Sequence, residues 1–258
     1  MQASVEALRQ LPAAGWSAML ASGDGGQALA WLQAAARQGV PRAQAILAQR
    51  LLVGQGVPPD PAQAVHWFRQ AAARDDVEAV NMLGRCLENG WGVAADAQLA
   101  VYWYRQAAVG GLDWGMYNLA NLLMSGKGIA ADRPAALALY RQAAGLGHAK
   151  SVNILGRFHE EGWEMASDPA QAAVLYCQAA IGGDFRGQFN HARLLLQRGK
   201  PQQAVAWLRR IPATATPAFM GNLRAWLAQS PVPAVRALAG EAPFIEKLKI
   251  KKEATCCI

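Results

Sequence analysis

The chain has 258 residues, 53% of them hydrophobic and 17% charged, and its 25 basic and 18 acidic side chains leave a net charge of +7. No run of about 18 uninterrupted apolar residues occurs, so no membrane-spanning helix is expected. The positive balance suits an acidic partner, but it is too diffuse to point to nucleic acid. Only four cysteines occur, Cys86 and Cys177 far apart and Cys256 and Cys257 near the end. They make no disulfide framework, which fits a reducing compartment.

Residues 1–23 read as an N-terminal capping helix region, and Glu6, Arg9 and Gln10 interrupt what would otherwise resemble a secretory leader. A cytoplasmic location is therefore expected. The organising stretch is DPAQAVHWFRQAA at 60–72. It returns as DAQLAVYWYRQAA at 96–108, DRPAALALYRQAA at 132–144 and DPAQAAVLYCQAA at 168–180. A constant period of 36 residues marks a solenoid built from one supersecondary unit. Residues 27–38 are a degenerate first copy, in which Trp31 keeps the register of Trp67 and Trp103.

Each copy is preceded by another helix, predicted over 42–53, 78–89, 114–125 and 150–161. In register these carry Leu47, Leu83, Leu119 and Leu155, each followed by a small residue: Ala48, Gly84, Ala120 or Gly156. A side chain that small lets a neighbouring helix approach closely. Gly54, Gly90, Gly126 and Gly162 should end these helices in the left-handed conformation. A short loop follows, whose last residue (Val57, Val93, Ile129, Met165) should tuck onto the core. The periodic Asp then caps the second helix by accepting from its free N–H groups. Pro61 and Pro169 stand at the first helical position, where no N–H is needed. The periodic aromatics, tryptophans included, read as core. A fifth unit begins at Asp184, with a second helix at 202–210. Capping helices are expected at 218–229 and 232–240. The repeat array thus covers 24–210, the cap 211–240, and 241–258 is a basic, flexible tail.

These residues resemble the Sel-one-like repeat (SLR), a relative of the tetratricopeptide repeat. Ala79, Leu83, Gly84, Leu87, Gly90, Gly92, Val93, Asp96, Ala100, Trp103, Tyr104, Ala107 and Ala108 match its pattern in one unbroken copy. Glu164 stands where the second loop glycine belongs and His159 where tyrosine or leucine does, so distortion of the fourth loop is expected. The resemblance implies an all-α fold, a right-handed α-α superhelix of about five to six helix-pair repeats. It also implies a non-catalytic scaffold or adaptor that holds partner proteins.

No catalytic motif competes with that reading. His66, His148, His159 and His191 do not take metal-site spacing, and the Gly-x-Gly pieces end helices rather than opening them after a strand. No cofactor or metal is expected. In tetratricopeptide-like solenoids the positions two before and two after the Leu line the concave face. By resemblance these are Asn81, Tyr117, Asn153 and Phe189 on one side and Arg85, Asn121, Arg157 and Arg193 on the other, with Glu88, Met124 and Glu160 a turn further on. Asn pairs with peptide backbone and Arg with carboxylates, so the partner expected is a polypeptide, acidic or carboxyl-terminal, with neither nucleic acid nor membrane involved. Two alternatives stay open. One is a scaffold tethered to a membrane through the basic tail ending in Cys256 and Cys257. The other is an accessory subunit of an enzyme or uptake system.

Overall fold

The computed structural model describes residues 15, 16, 18 and 25–244, and every regular element among them is helical. In chain order these are α1 (Gly25–Arg37), α2 (Pro41–Val53), α3 (Pro61–Ala72), α4 (Val77–Asn89), α5 (Ala97–Val109) and α6 (Asp113–Ser125). There follow α7 (Arg133–Gly145), α8 (Ala149–Glu161), α9 (Pro169–Ile181), α10 (Phe185–Gln197), α11 (Pro201–Leu208), α12 (Pro217–Ala228) and α13 (Pro233–Ala237). Two single 3-10 turns, Ile211–Ala213 and Leu238–Gly240, complete the C-terminal part. These elements fall into two compact units, one ending at Asp132 and the other starting at Arg133. In the first, α2 packs on α3 and α4 on α5; in the second, α8 packs on α9 and α10 on α11. No helix among the described residues is long and apolar enough to cross a membrane.

The helix boundaries follow from local chemistry. Gly54, Gly90, Gly126 and Gly162 close α2, α4, α6 and α8 at φ between 71° and 75°, which only glycine adopts without steric cost. The chain then turns back. The Asp60 N–H donates to the Leu51 carbonyl at 2.8 Å, Asp96 to Leu87 at 2.9 Å, Asp132 to Leu123 at 3.0 Å and Asp168 to His159 at 2.8 Å. The carboxylates of Asp60, Asp96 and Asp168 each accept the N–H three residues on at 2.9 Å, satisfying one of the orphan donors of the helix start. A second cap series, at the same period, opens the first helices. Asp76 accepts from Ala79 at 2.8 Å and Asp184 from Gly187 at 2.7 Å, and His148 accepts from Ser151 through Nδ1 at 3.3 Å.

The fourth loop departs from expectation. Glu164 takes the left-handed conformation at φ 56°, so the loop keeps the shape that Gly92 and Gly128 give its counterparts. The strain is held in one residue instead of being relieved by distortion.

The core runs along the helix pairs. Phe68, Tyr104, Tyr140 and Tyr176 are buried, as are Leu47, Leu83, Leu119 and Leu155. The tryptophans do not follow the sequence expectation: Trp31 is 37% exposed, and Trp67 and Trp103 are only half-buried. The residue after each tryptophan faces the neighbouring helix, and the tryptophan lies along the rim. The small-residue rule holds within the pairs, because a Cβ on Gly84 would sit 2.6 Å from the Tyr104 ring and one on Gly156 2.7 Å from the Tyr176 ring. Val57, Val93, Ile129 and Met165 are half-buried as the loop pattern requires. At the C-terminus the cap extends past the expected boundary. Glu241 pairs with Arg209 at 2.7 Å, and Phe244 is fully buried among Leu208, Ile211, Leu223 and Leu238. The remainder of the tail, with Cys256 and Cys257, lies outside the described residues. Cys86 and Cys177 are not joined in a disulfide.

Candidate functional site

In the first unit, Leu83 and Leu119 point into the core, so residues two positions along the same helices turn to the opposite flank. Arg85 is half-buried there, its guanidinium 5.3 Å from the Trp91 ring centroid, with Nη1 3.5 Å from the Met82 sulfur. One turn on, Glu88 accepts a 2.7 Å hydrogen bond from the Tyr104 hydroxyl. Lys127, from the next repeat, reaches the same glutamate at 3.6 Å and donates to its backbone carbonyl at 3.4 Å. Tyr117, Asn121 and Met124 lie half-buried on α6, with Tyr117 edge-on to Trp114 at 6.1 Å.

The second unit repeats the arrangement. Arg157 is exposed, 4.9 Å from the Trp163 ring centroid. Glu160 accepts from the Tyr176 hydroxyl at 2.7 Å, and the cation of the following repeat is Arg193, whose Nη2 lies 2.6 Å from Oε1 and 2.7 Å from Oε2. Burial alone would raise the Glu160 carboxyl. The hydrogen bonds from Arg193 and Tyr176 and the charges of Arg193 and Arg157 outweigh it, so the group titrates below its ordinary value. Burial, followed by the bond to Glu160, pushes the Tyr176 hydroxyl above its usual range. Burial, followed by the charge of Glu88, does the same at Tyr104.

The sequence carries a signal for this duplication. Residues 80–91 read VNMLGRCLENGW and residues 152–163 read VNILGRFHEEGW. The asparagine, arginine, glutamate and tryptophan recur every second repeat, at 72 residues, inside the 36-residue period. The shorter period hides the longer one, because α6 carries Tyr117, Asn121 and Met124 at the same positions.

The structure brings together only some of the residues expected on the concave stripe. Arg85, Tyr117, Asn121, Met124 and Arg157 remain at least partly accessible. Asn81 and Asn153 are drawn inside instead, at 6% and 2% exposure. Their Oδ1 atoms accept from Asn118 and Asn190, each at 2.9 Å, which ties one first helix to the next. A buried amide oxygen needs such a donor, so these two asparagines serve the stack. Arg193 is engaged by Glu160. Phe189 is half-buried, 5.9 Å from the Phe219 ring and 5.0 Å from the Trp226 ring, so α12 covers the stripe where the sequence reading left it open. Among the described residues, no group of three or more His, Cys, Asp or Glu is placed to hold a metal ion.

Comparison with known proteins accounts for this geometry. The Sel1 repeat matches residues 18–40, 41–76, 77–111, 115–148 and 149–184. Among solved structures, c5321, a protective antigen present in uropathogenic Escherichia coli strains and displaying an SLR fold, superposes with a TM-score of 0.67 at 27% identity. That match covers 96% of this chain and 54% of the antigen, so this chain spans about half of its length. A Sel1 repeat protein from Oxalobacter formigenes superposes at 0.64 with 25% identity, over 81% of this chain and 84% of that one. Immunity protein Pa5087 from Pseudomonas aeruginosa has a similar fold, with a TM-score of 0.56 at 17% identity over 77% and 75% of the two chains. No curated protein matches the chain. With five repeats matched in sequence and the same helix pairs found in its structural relatives, this chain belongs to the Sel1 repeat family and has that family's all-α, tetratricopeptide-like solenoid fold.

Proposed function

We propose that the chain is a non-catalytic adaptor, working in a reducing compartment, that holds a polypeptide against the polar flank of its first helices. Sel1 repeat proteins generally mediate protein–protein interaction. The observation that carries the reading here is the duplicated arginine-on-tryptophan pair, Arg85 with Trp91 and Arg157 with Trp163. A guanidinium stacked on an indole is held in one plane, with its N–H edges directed outward, which suits bidentate contact with a carboxylate. The neighbouring glutamates are already paired with Tyr104 and Lys127, or with Tyr176 and Arg193. They therefore do not compete for these two arginines as their first partner. In the first unit, Tyr117, Asn121 and Met124 supply apolar and amide contact beside Arg85.

The partner we infer is an acidic or carboxyl-terminal segment. Each exposed ion pair contributes about 0–1 kcal/mol, so affinity requires several contacts and weakens in salt. The test starts from a dodecamer selected on the chain from a random peptide library, followed by calorimetry. Arg85→Glu combined with Arg157→Glu should weaken binding at least tenfold while the helical circular-dichroism signal is unchanged. The control, Arg105→Glu with Arg141→Glu on the second helices, should bind as the parent does. Equal loss in both variants, or loss only in the control, would refute the reading.

A further inference from the structure

The first helices open at one position of the repeat: Val40, Asp76, Leu112, His148 and Asp184 are the N-caps of α2, α4, α6, α8 and α10. Asp76 and Asp184 cap through a carboxylate, and His148 caps through an imidazole. His148 is 5% exposed. Its Nδ1 accepts the Ser151 N–H at 3.3 Å and lies 2.9 Å from the Ser151 hydroxyl, and Ser151 itself is fully buried. A nitrogen that accepts an N–H carries no proton, so the folded cap holds the neutral ring, with its proton on Nε2.

Protonation undoes this cap in a way that it cannot undo the other two. A protonated carboxyl still accepts through its carbonyl oxygen, whereas an imidazolium has donors alone. The new Nδ1–H would find the Ser151 hydroxyl, but the Ser151 amide would then face a donor. The added charge would also sit, nearly buried, at the positive end of the α8 dipole.

The surrounding charges act in the same direction. α7, α9 and α10 pack on α8. α7 brings the exposed Arg133 and Arg141, α8 brings Lys150 and Arg157, and α10 brings Arg186, His191 and Arg193. α9 contains no Asp, Glu, Lys, Arg or His, and its titratable groups are Tyr176 and Cys177. Asp184, ahead of α10, is engaged by the Gly187 N–H and by the charges of Arg186 and Lys150. Glu160, Glu161 and Asp168 gather at the opposite end of α8, about 16 Å or more from His148 along the axis. The carboxylates of these elements are thus engaged or remote.

We propose that His148 is a proton-operated catch in the second unit: taking up a proton releases the first turn of α8. Linkage fixes the direction. Once released, the ring titrates as an ordinary histidine near about pH 6.5, while the closed cap excludes the proton. The closed turn is therefore fully stable above about pH 6.5 and loses stability as the pH falls below it. By pH 5.5 the open form should have gained about tenfold. α8 also carries Arg157 and Glu160, so acid acts on the second cluster, whereas α4, capped by Asp76, keeps the first.

The test is native-state hydrogen exchange of the Ser151 amide between pH 7.5 and pH 5.5, with rates corrected for the intrinsic pH dependence of exchange. A local readout is needed because His191, held below its ordinary value by burial and then by the Arg198 charge, also responds to acid. Protection at Ser151 should fall about tenfold in the parent, while the Ala79 amide, capped by Asp76, should hold within about twofold. His148→Asp copies the cap of Asp76 and Asp184, and His148→Asn keeps an acceptor oxygen that does not titrate. Both should leave Ser151 protection level across the range. If a variant does not fold, the parent's Ser151 and Ala79 amides still decide. The proposal is overturned if Ser151 protection in the parent does not fall, if Ala79 falls with it, or if a folded variant falls as steeply as the parent.

Discussion

Substituting Gly84 by alanine sets two known effects against each other. In an open helix position, Gly→Ala stabilises by up to about 1 kcal/mol, because the unfolded chain loses freedom. At Gly84 the new Cβ would meet Tyr104 Cδ1 at 2.6 Å and Cε1 at 2.7 Å. That ring has no room to retreat: it is fully buried, and its hydroxyl is tied to Glu88 at 2.7 Å. Forcing a methyl into a packed site of this kind costs about 1–3 kcal/mol, so the net effect should be a loss of about 0–2 kcal/mol. Gly145 is the control. It is also helical, closes α7, and would meet nothing within 4 Å, so Gly145→Ala should be neutral or stabilising. Urea unfolding of both variants gives the comparison, and hydrogen exchange locates the effect, which should appear in α4 and α5. If Gly84→Ala raises the midpoint as Gly145→Ala does, the close approach of α4 to α5 through Tyr104 is wrong.

Removing the Asp96 cap with Asp96→Ala should cost about 0.5–2 kcal/mol, read as a lowered urea midpoint with faster exchange at the Leu99 amide. Glu160 should give the second unit an acid-sensitive contribution. Its folded-state titration lies below the ordinary value of 4.5, so its stabilisation is complete above that pH and is lost as pH falls beneath it. In a melting series from pH 6 to pH 3, Glu160→Gln should show a shallower decline than the parent; a parallel decline would count against the paired carboxylate. Asp184 has the opposite sign: burial, partly offset by the Gly187 N–H, raises it above 3.8. Protonation therefore relieves a penalty there, and Asp184→Asn should lose less stability at neutral pH than Asp96→Asn. Because Cys86 and Cys177 are not joined in a disulfide, thermal stability should not change on adding dithiothreitol; a reductant-dependent midpoint would contradict that state.

The fold was legible because the determinants of each repeat are local. Gly90 must end α4 wherever that helix packs, and Asp96 caps α5 by a contact three residues away, so both were readable from spacing. What packs between helices was less legible. Trp103 and Tyr104 are adjacent aromatics with equal claim to the core, and only the crossing geometry at Gly84 sends Tyr104 inward and leaves Trp103 on the rim. Asn81 failed as a groove residue for a related reason. Its partner Asn118 lies 37 residues away, one past the repeat period, so no in-register reading pairs them. Phe189 has the correct position on its helix, but the array ends there and α12 covers it. The glutamate–tyrosine–cation clusters were missed because their members come from different helices, and the cation changes identity between the units, from Lys127 to Arg193.

The measurement that addresses the account most directly is site-specific photo-cross-linking of the selected dodecamer. Benzoylphenylalanine replaces Asn121, half-buried on α6 two positions beyond Leu119, or replaces Tyr102, which is 51% exposed on α5. A peptide held by the first helices should cross-link at position 121, should be displaced by excess unlabelled dodecamer, and should not cross-link at position 102. Cross-linking at 102 with none at 121 would contradict the assignment of the binding face.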